Sequence, residues 1–130
     1  MSTAEINERA KNILKNLAQI ESDALEAASK LTKECDLDAQ TELFFANASV
    51  APVVFARAQS KAKSIYRLRV IASDAMEARI RALKNLTQFR TLEDSEYGFQ
   101  VSLVNSEAES LAGNLESTLE GIKESVERYG

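Results

Sequence analysis

The residues best able to perform chemistry are few in this sequence, and they do not combine into a catalytic motif. Histidine, the usual general base and the commonest metal ligand, is absent from all 130 residues. The single cysteine, Cys35, lies between Glu34 and Asp36, whose negative charges disfavour a reactive thiolate. We therefore predict no catalytic residue, no cofactor and no metal site, and we expect a protein that is not an enzyme.

One acidic stretch, DLDAQTE from Asp36 to Glu42, partly follows the ligand pattern of a calcium loop. It lacks the glycine at the sixth position and the spacing to a closing glutamate that such a loop requires. Asp38 is better suited to cap a helix. No glycine-rich phosphate-binding motif occurs in the chain. The stretch thus predicts the start of a helix.

Positive charge is concentrated in the middle of this acidic chain. Residues 52–90 carry a net charge of +7, whereas residues 1–51 carry −4 and residues 91–130 carry −7. In a helical bundle, a basic helix between two acidic ones helps to specify pairing and register. Arg69 and Arg79 fall within or beside the apolar arc of their helix. We expect at least one of them to pair with a carboxylate of the first or last helix, because an unpaired buried charge is costly.

The same basic segment leaves two other functions open. Arg67 or Arg69 would bind an anionic ligand in a sensor-type bundle if a deep pocket brought their guanidinium groups together. Binding of nucleic acid or of an anionic surface has less support. Such binding needs the cations on one exposed stripe, and the acidic flanking helices would repel a polyanion.

The elements that position these residues are predicted to be helices. Nineteen alanines, one proline and four glycines favour helix over sheet. The length fits a single helical-bundle domain over residues 1–130. No apolar run approaches the roughly 20 residues that cross a bilayer, and the first residues lack the pattern of a secretory signal. We expect a cytoplasmic protein, with export without a leader left open.

The first helix is predicted from about Thr3 to Thr32, and Ser2 and Glu5 have the spacing of a capping box. Its apolar residues repeat every seven positions, as in a coiled coil. The two series are Ile6, Ile13, Ile20 and Ala27, and Ala10, Leu17, Ala24 and Leu31, with Leu14 and Ala28 beside them. A connection over residues 33–38 then leads to a short helix ending near Pro52. That proline suits the first turn of the next helix or kinks a continuous one.

A second long helix is predicted from Pro52 to about Phe89. Its core-facing arc contains Val54, Ala58, Ile65, Ala72, Met76, Ile80 and Leu83. Two alternatives remain: a strand over IYRLRVI paired with FQVSLV, and a helix that restarts at Ser73. The last helix is predicted from Asp94 to Arg128. Its stripe contains Tyr97, Val104, Leu111, Val101, Ala108, Leu115, Ile122 and Tyr129, and drifts towards Leu119 and Val126. Together these elements predict an elongated antiparallel bundle of three long helices and one short helix.

Small residues recur every three or four positions on the last helix, largely opposite its apolar stripe. A glycine inside a helix costs up to about 1 kcal/mol relative to alanine, and close approach of another helix would offset that cost. We therefore expect a structural or interaction protein that forms a homo-oligomer or binds a helical partner. A solvated serine-rich face is the alternative. The predicted interface residues are Gly98, Ser102, Ser106, Ser110, Gly113, Ser117, Gly121 and Ser125, followed by Arg69 and Arg79.

Overall fold

A computed structural model shows three long α-helices and a short 3-10 turn. The structure describes residues 2–44 and 51–129, and it describes side chains over residues 2–35 and 56–128. Helix α1 spans Thr3–Phe44, α2 spans Ala51–Gln88 and α3 spans Asp94–Tyr129, with the 3-10 turn at Phe89–Thr91 between α2 and α3. No strand occurs in these described residues. The predicted all-α bundle is confirmed.

The helices run up, down and up. Arg79 of α2 reaches Glu21 of α1, whereas Arg9, near the start of α1, reaches Glu109 in the first half of α3. Helices α1 and α3 are therefore parallel neighbours, and α2 runs antiparallel to both. With 42 residues at 1.5 Å per residue, α1 is about 63 Å long, which makes the bundle elongated. No helix within the described residues is both long and apolar enough to cross a membrane.

The core follows the predicted heptad pattern of α1. Ser2 caps the helix, because its hydroxyl oxygen accepts a hydrogen bond from the Glu5 backbone N–H at 3.2 Å. All members of the two heptad series are buried except Ala27, which is partly buried. On α3, Val101, Leu115 and Ile122 are buried, and the predicted drift brings Leu119 into the core as well. The burial predicted for α1 is confirmed. On α3 the predicted stripe is buried or half-buried, with Tyr97, Val104 and Leu111 half-buried, and the side chain of Tyr129 lies outside the described residues.

The predicted connection over residues 33–38 is wrong, because α1 continues to Phe44. No glycine or proline interrupts the chain between Thr32 and Phe44, so nothing in the backbone stops the helix. The first part of the predicted short helix thus belongs to α1, and its remaining residues, 45–50, lie outside the described residues. Pro52 occupies the first turn of α2, as predicted. The short helical element of this fold is the 3-10 turn.

Helix α2 is continuous through Ser73, so the predicted alternative of a restart there is wrong. The strand interpretation of IYRLRVI and FQVSLV is also wrong, since both stretches are helical. Leu68, Ile71, Ala72 and Ala75 are buried on one side of α2. Burial at intervals of three and four residues is the pattern of a helix packed on one face, and it overrides the short alternation of Tyr66, Leu68 and Val70.

Three polar contacts fasten the beginning of α1 to α3. Arg9 donates two hydrogen bonds to the Glu109 carboxylate, at 2.6 and 2.7 Å. Hydrogen bonding to Arg9 lowers the pKa of Glu109, and the same bond raises the pKa of Arg9. The Tyr97 hydroxyl donates to Asn7 Oδ1 at 2.8 Å, and the buried Asn105 amide donates to the Ile6 carbonyl at 3.2 Å. These contacts set the register of α3 and therefore which of its faces points outward.

Candidate interaction surfaces

Cys35 and the acidic stretch that follows it are the first places to look for chemistry in the structure. Within the described residues, no three side chains of the cysteine, aspartate and glutamate types lie close enough together to hold a metal ion. Cys35 is half-buried on α1. Residues 36–42 lie in a part of α1 whose side chains are not described, and the prediction that a helix starts there is wrong because α1 runs through this stretch. Attention therefore turns to the outer surfaces of the bundle.

The outer side of α2 exposes large apolar residues along much of its length. The predicted core arc is wrong for Met76, Ile80 and Leu83, which are exposed, because the buried side of α2 is rotated from that arc by roughly a quarter turn. Alanines provide most of the buried side, and their small size lets α2 lie close to its neighbours. The α2 face comprises the exposed residues Tyr66, Val70, Met76, Ile80 and Leu83. Tyr66 is 70% exposed and Ile80 is 57% exposed.

Cations border the α2 face. The exposed basic residues within or beside the arc of the α2 face are Lys63, Arg67, Arg69, Arg81 and Lys84. None of these five forms an ion pair with another described residue, whereas the acids Asp74 and Glu77 lie on the same outer side. The charge of the middle helix is therefore used only in part to hold this bundle together. A net positive, partly apolar surface therefore remains exposed.

Arg69 and Arg79 have different surroundings. Arg79 Nη1 lies 2.9 Å from Glu21 Oε2, with the two side chains 29% and 21% exposed. This contact confirms the predicted pairing with an acid of the first helix. The contact is an ion pair and not a hydrogen bond, because the buried Glu21 Oε2 accepts no hydrogen bond from Arg79. Arg69 is exposed and lies among the apolar residues of the α2 face.

The predicted small-residue stripe lies mainly on the outer side of α3. Ser106, Ser110, Ser117 and Ser125 are exposed, while Gly98 and Ser102 are half-buried. A methyl group at Gly98 would lie 3.4 Å from Ile6 Cδ1, whereas one at Gly113 or Gly121 would meet nothing within 4 Å. Among the three glycines that the structure describes, an added methyl group would therefore have a neighbour only at Gly98, and at ordinary contact distance. Close packing inside the chain does not account for glycine at the other two positions.

No protein-family model, curated protein or solved structure matches this chain.

A groove of about 560 Å³ separates α3 from α1 beside that stripe. Gly113, Ser117 and Gly121 line one wall, with Gln19 of α1 on the other. Four carboxylates, those of Asp23, Glu116, Glu120 and Glu124, also line the groove, and none of its described lining residues is a cation. The groove is open to solvent and negatively charged, so it would favour a cationic occupant over an anionic one.

A second cleft of about 660 Å³ lies where α1, α2 and α3 meet near the start of α2. Its floor is apolar and includes Leu31, Leu68 and Ile122. Its rim carries both carboxylates and lysines. Neither Arg67 nor Arg69 lines this cleft, and neither lines the groove between α1 and α3. The two guanidinium groups named for an anionic ligand therefore do not converge on either space.

Two features of these surfaces differ from what the sequence predicts. The sequence predicts Met76, Ile80 and Leu83 of the α2 face in the core, because these large side chains dominate the helical wheel. Phe99, 63% exposed, and Leu103, 53% exposed, were not recognised as surface residues of α3. On the helical wheel both residues lie opposite the core residue Val101, and this position predicts that they are exposed.

Proposed function

We propose that this protein is a non-catalytic structural or interaction protein that self-assembles or binds a helical protein partner. The observation that carries the proposal is the α2 face, where five large apolar side chains lie exposed on one side of a helix. Contiguous exposed apolar surface marks an interaction site more often than isolated exposed residues do. The small-residue stripe of α3 and Arg69 remain proposed parts of an interface, and the cytoplasm remains the proposed location.

The energy available from the α2 face suggests what its partner must offer. Full burial of a large apolar side chain contributes about 1.5–3 kcal/mol, so a half-exposed one adds about 1 kcal/mol when it is covered. Five such residues supply roughly 5 kcal/mol, near the lower end of the estimated 4–15 kcal/mol cost of association. The α2 face therefore needs a partner surface that adds apolar area or opposite charge.

The test is the solution mass of the purified protein, measured by light scattering from micromolar to millimolar concentration. Self-assembly predicts a mass that rises above the 14.3 kDa of one chain. Ile80→Ser should reduce that rise, because it removes apolar area from the α2 face. Leu92→Ser is the matched control, since Leu92 is also exposed but lies in the turn between α2 and α3. A mass of 14.3 kDa at every concentration would contradict self-assembly, while binding of a different helical protein would remain to be tested.

Binding to an anionic surface is the second candidate, and the five exposed cations beside the α2 face favour it. Retention on a polyanion column should then fall steeply as salt rises, because counterion release dominates such binding. Arg67→Ala with Arg81→Ala should weaken the retention. No retention at low salt would exclude this candidate.

A further inference from the structure

We propose that the α2 face of one molecule packs on the outer side of α3 of a second, identical molecule. This inference rests on the proposed function and names its partner as a second copy of the chain. The contact is heterologous, because each molecule contributes its α2 face to one neighbour and the outer side of its α3 to another. Its support comes from exposed apolar residues and charge on two separate helices.

The α2 face combines apolar area with positive charge. At 3.6 residues per turn, its apolar residues fall within an arc of about 140° on the helical wheel. Five exposed cations lie within or beside this arc, against the two acids Asp74 and Glu77, so the surface has a net charge of +3. Desolvating such a surface is favourable only against a partner that supplies carboxylates as well as apolar area.

The outer side of α3 supplies both. We define the α3 face as Phe99 and Leu103 together with the exposed acids Glu96 and Glu107. These four residues lie within about three helical turns and within an arc of about 80° on the wheel. No cation occurs in residues 96–107, so the net charge of the α3 face is −2.

Charge also decides between the ways in which two copies might meet. A symmetric contact through two α2 faces would place +3 against +3, and one through two α3 faces would oppose carboxylates to carboxylates. Juxtaposed like charges disfavour both symmetric arrangements. The α2 face against the α3 face joins opposite charges and covers apolar residues on both sides. Helix α1 offers the α2 face less apolar area to cover, since Leu25 is its only exposed large apolar residue among those described.

A heterologous contact leaves one free α2 face and one free α3 face at the ends of every assembly. Further copies add until the rotation between neighbours closes a ring, or they add without limit as a filament. Blocking one face on some molecules and the other face on the rest should therefore stop assembly at a pair. A symmetric dimer would not behave in this way, so a mixture of two such variants tests the proposal.

Two variants block the faces separately. Ile80→Glu places a carboxylate in the α2 face, and Leu103→Lys places an ammonium group in the α3 face. Both side chains are more than half exposed, so the bundle should tolerate the changes, and circular dichroism with thermal melting checks this. Each variant alone should weaken self-association at least tenfold. Leu25→Glu, at an exposed position of α1, is the matched control and should associate like the wild type.

The decisive measurement is the mass of an equimolar mixture of the two variants by light scattering. The proposal predicts a complex of two chains and nothing larger, formed by the intact α2 face of Leu103→Lys and the intact α3 face of Ile80→Glu. A mixture that remains monomeric while the wild type assembles would overturn it, as would a Leu103→Lys variant that assembles fully. A wild type that stays monomeric would also overturn it, yet the proposed binding of another helical protein would still stand. A rise in mass only after adding an oligonucleotide would overturn it in favour of anionic binding.

Discussion

Replacing Gly113 and Gly121 by alanine should stabilise the folded monomer. Both glycines lie inside α3, and a methyl group at either position would meet nothing within 4 Å. Alanine therefore removes the entropic disadvantage of glycine, about 0.8–1 kcal/mol per site, without any steric cost. The two sites are eight residues apart and share no described contact, so their effects should add to about 2 kcal/mol.

The expected change in melting temperature follows from the size of the chain. Unfolding entropy is about 2.1 cal/mol/K per residue, which gives about 0.27 kcal/mol/K for 130 residues. A gain of about 1 kcal/mol then raises the melting temperature by about 4 °C, and the double variant gains about 7 °C.

The assay is thermal unfolding followed by circular dichroism at low micromolar concentration, with urea unfolding as a second measure. Ser117→Ala is a matched control, because Ser117 lies between the two glycines on the same exposed side of α3. Its gain should be smaller, about 0.5 kcal/mol, since serine is a better helix former than glycine. If Gly113→Ala or Gly121→Ala lowered the melting temperature, the surroundings of that glycine would not be open and the reasoning would fail.

Other expectations concern the core and the contacts between α1 and α3. Leu17→Ala should lower the free energy of unfolding by about 2–5 kcal/mol in urea titrations, because Leu17 is fully buried and its loss leaves a cavity. Asn105→Ala should cost about 1 kcal/mol in the same titration, since it removes the buried hydrogen bond to the Ile6 carbonyl. Glu109→Gln should cost at most about 1 kcal/mol at neutral pH, because the ion pair with Arg9 is exposed. The Arg9 pair lowers the pKa of Glu109, so this stabilisation is present above the ordinary carboxyl pKa of 4.5 and is lost as the pH falls through the lowered pKa. The melting temperatures of wild type and Glu109→Gln should therefore converge in acid, and a gap that persists there would contradict the assignment.

The sequence predicted α1 and α3 well because large apolar residues repeat along them with little competition. Leu17 and Ile20 could be assigned to the core from spacing alone, and both are buried. On α2 the same reasoning failed for Met76, Ile80 and Leu83, which are large and exposed. Ala75 and Ala78 share the buried side with Leu68, because small side chains allow helices to approach closely. A wheel weighted by hydrophobicity favours Ile80 over alanine and therefore points to the wrong side.

Pairing between helices was predictable only where charge left few choices. A guanidinium group at the edge of the predicted core needs a carboxylate partner, and Arg79 pairs with Glu21. The contacts of Arg9 and Asn105 could not be predicted from the sequence, because they depend on the register between two parallel helices about 100 residues apart in sequence. The end of α1 was misplaced for a local reason: its polar residues resemble a loop, yet no glycine or proline stops the helix there.

The parallel pairing of α1 and α3 has a consequence for how the chain folds during synthesis. Helices α1 and α2 are consecutive and antiparallel, so they can pair as a hairpin before α3 has been made. The contacts of Arg9 and Asn105 must wait for a segment translated about 100 residues later. Until then, the groove of the hairpin that receives Val101 and Ile122 stays open to water or to chaperones. Helix α3 is thus the last of the three helices that can dock during synthesis, and its docking leaves Phe99 and Leu103 on the outer surface.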